Sequence, residues 1–254
     1  MNLKKRLKNG EVVFGTFVKF PSPQMVEMLG YAGLDFVILD MEHSLISFTE
    51  AENLMRAAAV SGMDVIVRVP SAQEEHVLHA LDAGAQGVQV PGLTTAEEAA
   101  EVISWGKYYP HGVRGLSFAQ RSARFGFIQD KDQYIREKNE ESLFSIHIEN
   151  KEMVGEIDKL CQNPYADVLF VGPMDMSQSY GVPGNPGSPD VQAAVRKVAD
   201  AAKGSEKAAG IFVTGKEAMD KYIDMGMQYI VYASDQAFCA SGTRAYMDMV
   251  KQYK

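Results

Sequence analysis

The chain has 254 residues, 46% of them hydrophobic, and a formal net charge of −8. That is enough apolar material to bury a full core as one or two domains, read below as a single barrel over 1–254, and the acidic balance argues against a nucleic-acid surface. No apolar run reaches the ~18 residues of a membrane span, and the N-terminus is basic without the apolar stretch of a signal peptide. Two cysteines, Cys161 and Cys239, lack disulfide-framework and metal-ligand spacing, which points to a reducing cytoplasm.

Taken in chain order, the basic cluster Lys4–Lys8 reads as the solvated face of a short helix. Apolar β-type runs follow near Val13–Lys19, Asp35–Asp40, Asp64–Val69, Gly87–Pro91, Leu143–Glu149, Asp167–Gly172, Ala209–Val213 and Tyr229–Ala233. Between them, Pro23–Ala32, Phe48–Ser61, Glu74–Ala83 and Thr95–Gly106 repeat apolar residues at helical spacing. The runs are apolar on almost every residue, as parallel strands covered by helices are. About eight such βα units in one chain of this length predict a (β/α)8 barrel. The competing doubly wound sheet would place a glycine-rich turn after its first strand, where Lys19-Phe20-Pro21-Ser22-Pro23 stands instead. The segment between the fourth and fifth strands is too long for a simple connection and predicts a helix over Lys131–Glu141. Gly and Pro between Tyr180 and Pro189 forbid regular structure there.

In such a barrel the active site lies at the C-terminal ends of the strands. The polar residues of this chain gather there: Asp40, Glu42 and His43 after the second strand, Arg68 after the third, Glu149 after the fifth, Asp175 after the sixth. Strand alternation puts His147 and Glu149 on one face. Glu149 and Asp175 offer hard oxygen ligands to Mg²⁺ or Mn²⁺, with ordinary loop or salt-bridge acids as the alternative. Arg68 suits a carboxylate or enolate oxygen, and equally an ion pair with Asp40 or Glu42. His43 can move a proton near neutral pH, with Asp40 close enough to orient its ring. Asp82, before Gly84, reads first as a helix-end cap or ion-pair partner, and His76, His79 and His111 carry no assigned role.

Phe14-Gly15-Thr16-Phe17, Leu39-Asp40-Met41-Glu42-His43, Val67-Arg68-Val69-Pro70, Leu81-Asp82-Ala83-Gly84, Ile148-Glu149 and Gly172-Pro173-Met174-Asp175-Met176-Ser177 together resemble the class II pyruvate aldolases of the 2,4-dihydroxyhept-2-ene-1,7-dioate aldolase (HpcH/HpaI) family, relatives of the citrate lyase β-subunit. The resemblance covers nearly the whole chain. It implies a lyase that splits a 4-hydroxy-2-oxo acid into pyruvate and an aldehyde. Glu149 and Asp175 would hold a divalent metal (Mg²⁺ or Mn²⁺, with Co²⁺ also compatible), Arg68 the enolate oxygen, and Asp40–His43 would form a proton-transferring dyad. Gly172, Pro173, Met174, Asp175, Arg68 and His147 would contact substrate. It further implies a homo-oligomer, a trimer of dimers, with the last helix packed on a neighbouring subunit and Asp82 reaching into that subunit's site. His147 stands where the family usually carries Gln, and as a third ligand it would shift preference toward transition metals. The rivals are a citramalyl- or malyl-CoA-type lyase, which needs a cationic surface for CoA phosphates, and a non-catalytic barrel that binds an oxo acid.

Overall fold

The computed structural model describes residues 2–253. Eight parallel strands close in chain order: β1 (Val13–Val18), β2 (Phe36–Asp40), β3 (Asp64–Arg68), β4 (Gly87–Val90), β5 (Leu143–Ile148), β6 (Val168–Val171), β7 (Ala208–Val213) and β8 (Tyr229–Ser234), with β8 paired back onto β1. The chain is a (β/α)8 barrel. Helices Phe48–Ser61, Glu74–Ala83 and Lys131–Glu141 occupy the expected residues. The capping boxes Ser47/Glu50 and Thr95/Glu98 fix where two of the helices begin.

The strands are buried on both faces over most of their length, so their period-two pattern is hidden in a mostly apolar sequence. One phase (Val37, Leu39, Val65, Val67, Val88, Ile146) packs beneath the helices. The other (Val13, Phe36, Ile38, Ile66, Phe170, Tyr229) fills the barrel. Phe36 stacks on Tyr229 with ring centroids 4.3 Å apart at its N-terminal end. Gly15 makes room for that pair, because a Cβ there would stand 2.4 Å from the Phe36 ring.

The N-terminal helix Leu3–Lys8 plugs this end rather than lying on solvent. Leu3 and Leu7 join the interior cluster. Lys4, read from sequence as solvated, is buried: its Nζ pairs with Asp167 at 3.0 Å and donates to the Ser142 carbonyl at 3.1 Å. Amphipathic burial of the helix carries this lysine inward with its leucine neighbours, and Asp167 compensates the charge. Lys107 is fully buried beside it and donates to the carbonyls of Asn139 (2.6 Å) and Ser142 (3.0 Å). Its ammonium lies over the rings of Phe144 and Tyr165.

The long β4–β5 connection forms a shelf against helix Glu74–Ala83. Arg121 donates to the Ala83 carbonyl at 2.8 Å, and Arg114 pairs with Asp82 at 2.7 Å. Leu116, Phe125 and Phe127 on this shelf are exposed. The final helix, Asp235–Val250, buries only Asp235 and leaves Phe238, Tyr246 and Met249 exposed. Cys239 on it is exposed and Cys161 half-buried. No helix among the described residues is long and apolar enough to cross a membrane.

Candidate active site

The inner phase of each strand turns from apolar to polar as it approaches the C-terminal end. Phe36 and Ile38 lead to Asp40, Ile66 to Arg68, Gly87 to Gln89, and Leu143 to Ser145 and His147. Strand register then chooses neighbours: Asp40 lies beside Arg68, Arg68 beside Gln89, Gln89 beside Ser145, and His147 beside Phe170. These side chains converge under a cleft of about 340 Å³ lined by Phe17, Lys19, His43, Arg68, His147, Phe170, Gly172, Pro173, Met174, Asp175, Phe212 and Ser234, a size suited to a small organic acid.

Arg68 is the centre of one half. Its Nε and one terminal nitrogen grip Asp40 at 2.9 and 2.7 Å, and the other terminal nitrogen reaches Glu42 at 2.9 Å. Its guanidinium stacks over Phe17. Nε donates a hydrogen bond to Asp40, while the two terminal nitrogens stand at ion-pair distance from Asp40 and Glu42 and line the cleft with the rest of the side chain. Burial would push the Asp40 carboxyl up, but Arg68, the His43 main chain and Lys19 outweigh it and hold it below the usual carboxylate range. Glu42 goes the other way: burial raises it despite the charge of Arg68. Asp40 meets His43 through the main-chain N–H at 3.0 Å, not through the ring. The ring stands exposed at the rim, with Nε2 3.9 Å from Glu42. Lys19 closes the group, 3.2 Å from Asp40.

Glu149 anchors the other half. One oxygen accepts from the Gly92 N–H at 2.7 Å, the other from His147 Nδ1 at 2.7 Å. Burial raises this carboxyl, and those bonds more than reverse the effect, so it lies below the ordinary value. His147 also meets Gln89 at 2.7 Å through Nε2, so both ring nitrogens have protein partners. Asp175 enters from the turn after β6, on the first turn of helix Pro173–Ser179. A Cβ built on Gly172 would stand 3.3 Å from an oxygen of Glu149 and 3.7 Å from one of Asp175. The two carboxylates therefore face one small space, kept open by a glycine.

That space fits a divalent cation. Among the described residues no three His, Cys, Asp or Glu side chains form a metal cage. A pair of hard carboxylates that leaves positions for substrate and water is, however, the donor set Mg²⁺ and Mn²⁺ use. Asp40, Glu42, Glu149 and Asp175 against Arg68 and Lys19 also leave two uncompensated negative charges around the cleft, which one such cation would balance.

Asp82 lies outside this group. It pairs with Arg114 and borders a separate surface hollow with Phe48, His79 and Phe125. His76 and His79 pack against Phe48, and His111 bonds Tyr165. Sequence reasoning missed Gln89, Ser145 and the aromatic floor of Phe17, Phe170 and Phe212. The signal for Gln89 was present: a polar residue inside Gly87–Val90, in the same phase as Arg68.

The HpcH/HpaI aldolase/citrate lyase family description matches residues 13–241. A hydroxypyruvate/pyruvate aldolase of Paraburkholderia phytofirmans is 32% identical, covering 98% of this chain and 97% of that one. Among solved structures, an HpcH/HpaI aldolase/citrate lyase family protein from Burkholderia cenocepacia superimposes with a TM-score of 0.93 at 30% identity, covering 98% of each chain. The citrate synthase SbnG does so with a TM-score of 0.89 at 28% identity, covering 99% of this chain and 98% of that one.

Proposed function

The chain belongs to the HpcH/HpaI aldolase/citrate lyase family, and on that premise we propose that it is a divalent-metal-dependent aldolase cleaving a 4-hydroxy-2-oxo acid, such as 2,4-dihydroxyhept-2-ene-1,7-dioate, into pyruvate and an aldehyde. The observation that carries this reading is the convergence of Glu149 and Asp175 over Gly172, beside a cleft lined by Arg68. Breaking the C3–C4 bond leaves an electron pair on the pyruvate fragment as an enolate. A cation held by Glu149 and Asp175 would supply Lewis-acid stabilisation of that charge. Arg68 donates from its terminal nitrogens to the developing oxyanion or the adjacent carboxylate. Asp40 and Glu42 hold the guanidinium in place so that this costs no reorganisation. His43, at the rim, takes the proton of the C4 hydroxyl and returns one to the pyruvate methyl carbon. Gly172, Pro173 and Met174 form the wall against which substrate lies, with Met174 half out in the cleft mouth.

A homo-oligomer completes the proposal. The apolar residues on the final helix and on the shelf beside Asp82 supply contact surface, and Asp82 would serve a site only across such a contact.

Proton NMR of pyruvate in D₂O tests the reading without knowledge of the aldehyde. Methyl-proton exchange that requires Mg²⁺ or low Mn²⁺, and that disappears in Arg68→Ala and Glu149→Ala, is the expected result. No exchange with any divalent metal refutes it. A second reading, condensation or cleavage of an acyl-CoA ester, is favoured by the likeness to the citrate synthase SbnG and by the second cation, Lys19, in the cleft. It ranks lower because the cationic groove of Lys5, Lys8 and Arg136 lies beside the N-terminal helix that plugs the opposite end of the barrel. Dependence of turnover on CoA separates the two.

A further inference from the structure

Beneath Glu149 runs a buried chain of hydrogen bonds that the reaction itself does not require. Ser145 donates to Gln89 Oε1 at 3.2 Å, Gln89 Nε2 meets His147 Nε2 at 2.7 Å, and His147 Nδ1 meets Glu149 Oε2 at 2.7 Å. Ser145, Gln89 and His147 are each 1% exposed or less. A carboxylate can only accept, so Nδ1 must carry the hydrogen. Nε2 faces the Gln89 amide nitrogen, which can only donate, so the Nε2 that matches it carries a lone pair. Ser145 supplies that condition: by holding the Gln89 carbonyl, it turns the amide nitrogen toward the ring. Phe170 stacks on the imidazole with centroids 5.1 Å apart and fixes its plane.

We propose that Gln89 is a positioning residue for the candidate metal site, fixing His147 as its Nδ1–H tautomer so that Glu149 is aimed at the space above Gly172. The inference rests on the reading of Glu149 as a metal ligand and extends it two residues deeper into the barrel. Partners behind a ligand are known to matter at metal sites, where their loss costs roughly 10- to 100-fold in affinity. Here the ligand is a carboxylate, and the imidazole stands behind it as an orienting donor with both nitrogens spent.

The test uses the full-length protein with ¹⁵N-labelled histidine, the His147 signals being assigned by their loss in His147→Gln. Long-range ¹H–¹⁵N spectra report which ring nitrogen is protonated, with no metal present. Titration with Mn²⁺ alone, followed by the EPR signal of the free ion, reports affinity. The wild type should show a protonated Nδ1 and an unprotonated Nε2. Gln89→Met, of similar volume but with no donor, should lose that pattern and bind Mn²⁺ about tenfold or more weakly. Ser145→Ala should move both readouts in the same direction by less, and it decides the matter if Gln89→Met does not fold. A wild-type His147 carrying a hydrogen on Nε2, alone or together with Nδ1, overturns the proposal. So does an unchanged Mn²⁺ affinity in variants whose tautomer has changed. A wild type that shows the stated tautomer, dependent on Gln89, yet binds no Mn²⁺ confirms the fixing of His147 and refutes the metal reading of Glu149, so the two failures are distinguishable.

Discussion

Replacing Lys107 by methionine measures how a buried cation is tolerated at the plugged end of the barrel. Burial, with the charge of Lys4 beside it and only Asp167 opposing, pushes the Lys107 ammonium down from 10.5 to about 7. The native protein then sheds this proton near neutrality, while the unfolded chain keeps it to about 10.5. Between those values the unfolded state binds more protons, so stability rises with pH, by about 1.4 kcal/mol per unit. The full penalty applies below pH 7 and vanishes above the unfolded value. Methionine keeps the contacts with Phe144 and Tyr165 but carries no charge, and the carbonyl bonds it loses add an offset that does not vary with pH. Urea unfolding of both proteins at pH 7, 8 and 9 isolates the group, since all other titrations cancel in the difference. The wild type should gain on the order of 3 kcal/mol on the variant across that range. A difference independent of pH refutes the reasoning: the two carbonyls, the ring faces and Asp167 would then hold the ammonium charged throughout.

Two further substitutions probe the cleft. Gly172→Ala inserts a methyl 3.2 Å from the Glu149 Cβ and close to both carboxylate oxygens, at a backbone φ of −96° that alanine accepts. Calorimetry should show weakened Mn²⁺ binding with a melting temperature within a few degrees of wild type, and equal affinity in a folded variant would remove the glycine from the argument. Arg68→Lys keeps one charge but loses the fork shared between Asp40 and Glu42. Pyruvate exchange should fall by about 10²-fold, the scale of a lost oxyanion donor, and exchange within a factor of three of wild type would show that charge alone suffices.

The barrel was legible because eight apolar runs of strand length alternate with helical periods, as expected of strands buried on both faces over most of their length. The expected strand ends ran one residue long at Lys19, Val69, Pro91, Glu149 and Gly172. There the side-chain alternation outlasts the ladder, and at Pro91 no N–H remains to extend it. Asp40, Arg68 and His147 could be placed by the period of two. Their partners could not, because partners follow from register between strands: Asp40 falls opposite Arg68, so its carboxylate goes to the guanidinium and not to the His43 ring. His43 sits on a turn, where no period governs direction. Lys4 shows the same limit. A helix of one and a half turns gives too short a pattern to tell a plug from a surface element.

The closure of β8 onto β1 has a consequence for biogenesis. The first strand leaves the ribosome long before its last partner is made, an interval of roughly 10–40 s at ordinary rates of synthesis. Throughout it, one row of β1 main-chain groups has no mate, and the nascent chain presents an aggregation-prone edge that the finished barrel lacks. Lys4 waits as well, for Ser142 and Asp167. The wait of β1 ends with β8, and Asp235, directly after β8, adds a buried carboxylate that accepts the N–H groups of Lys19 at 3.0 Å and Phe20 at 2.9 Å. It works as a clasp that can shut only after β8 has emerged, and a chain stopped just short of it would close the β8–β1 ladder without the extra main-chain bonds that pin its C-terminal end.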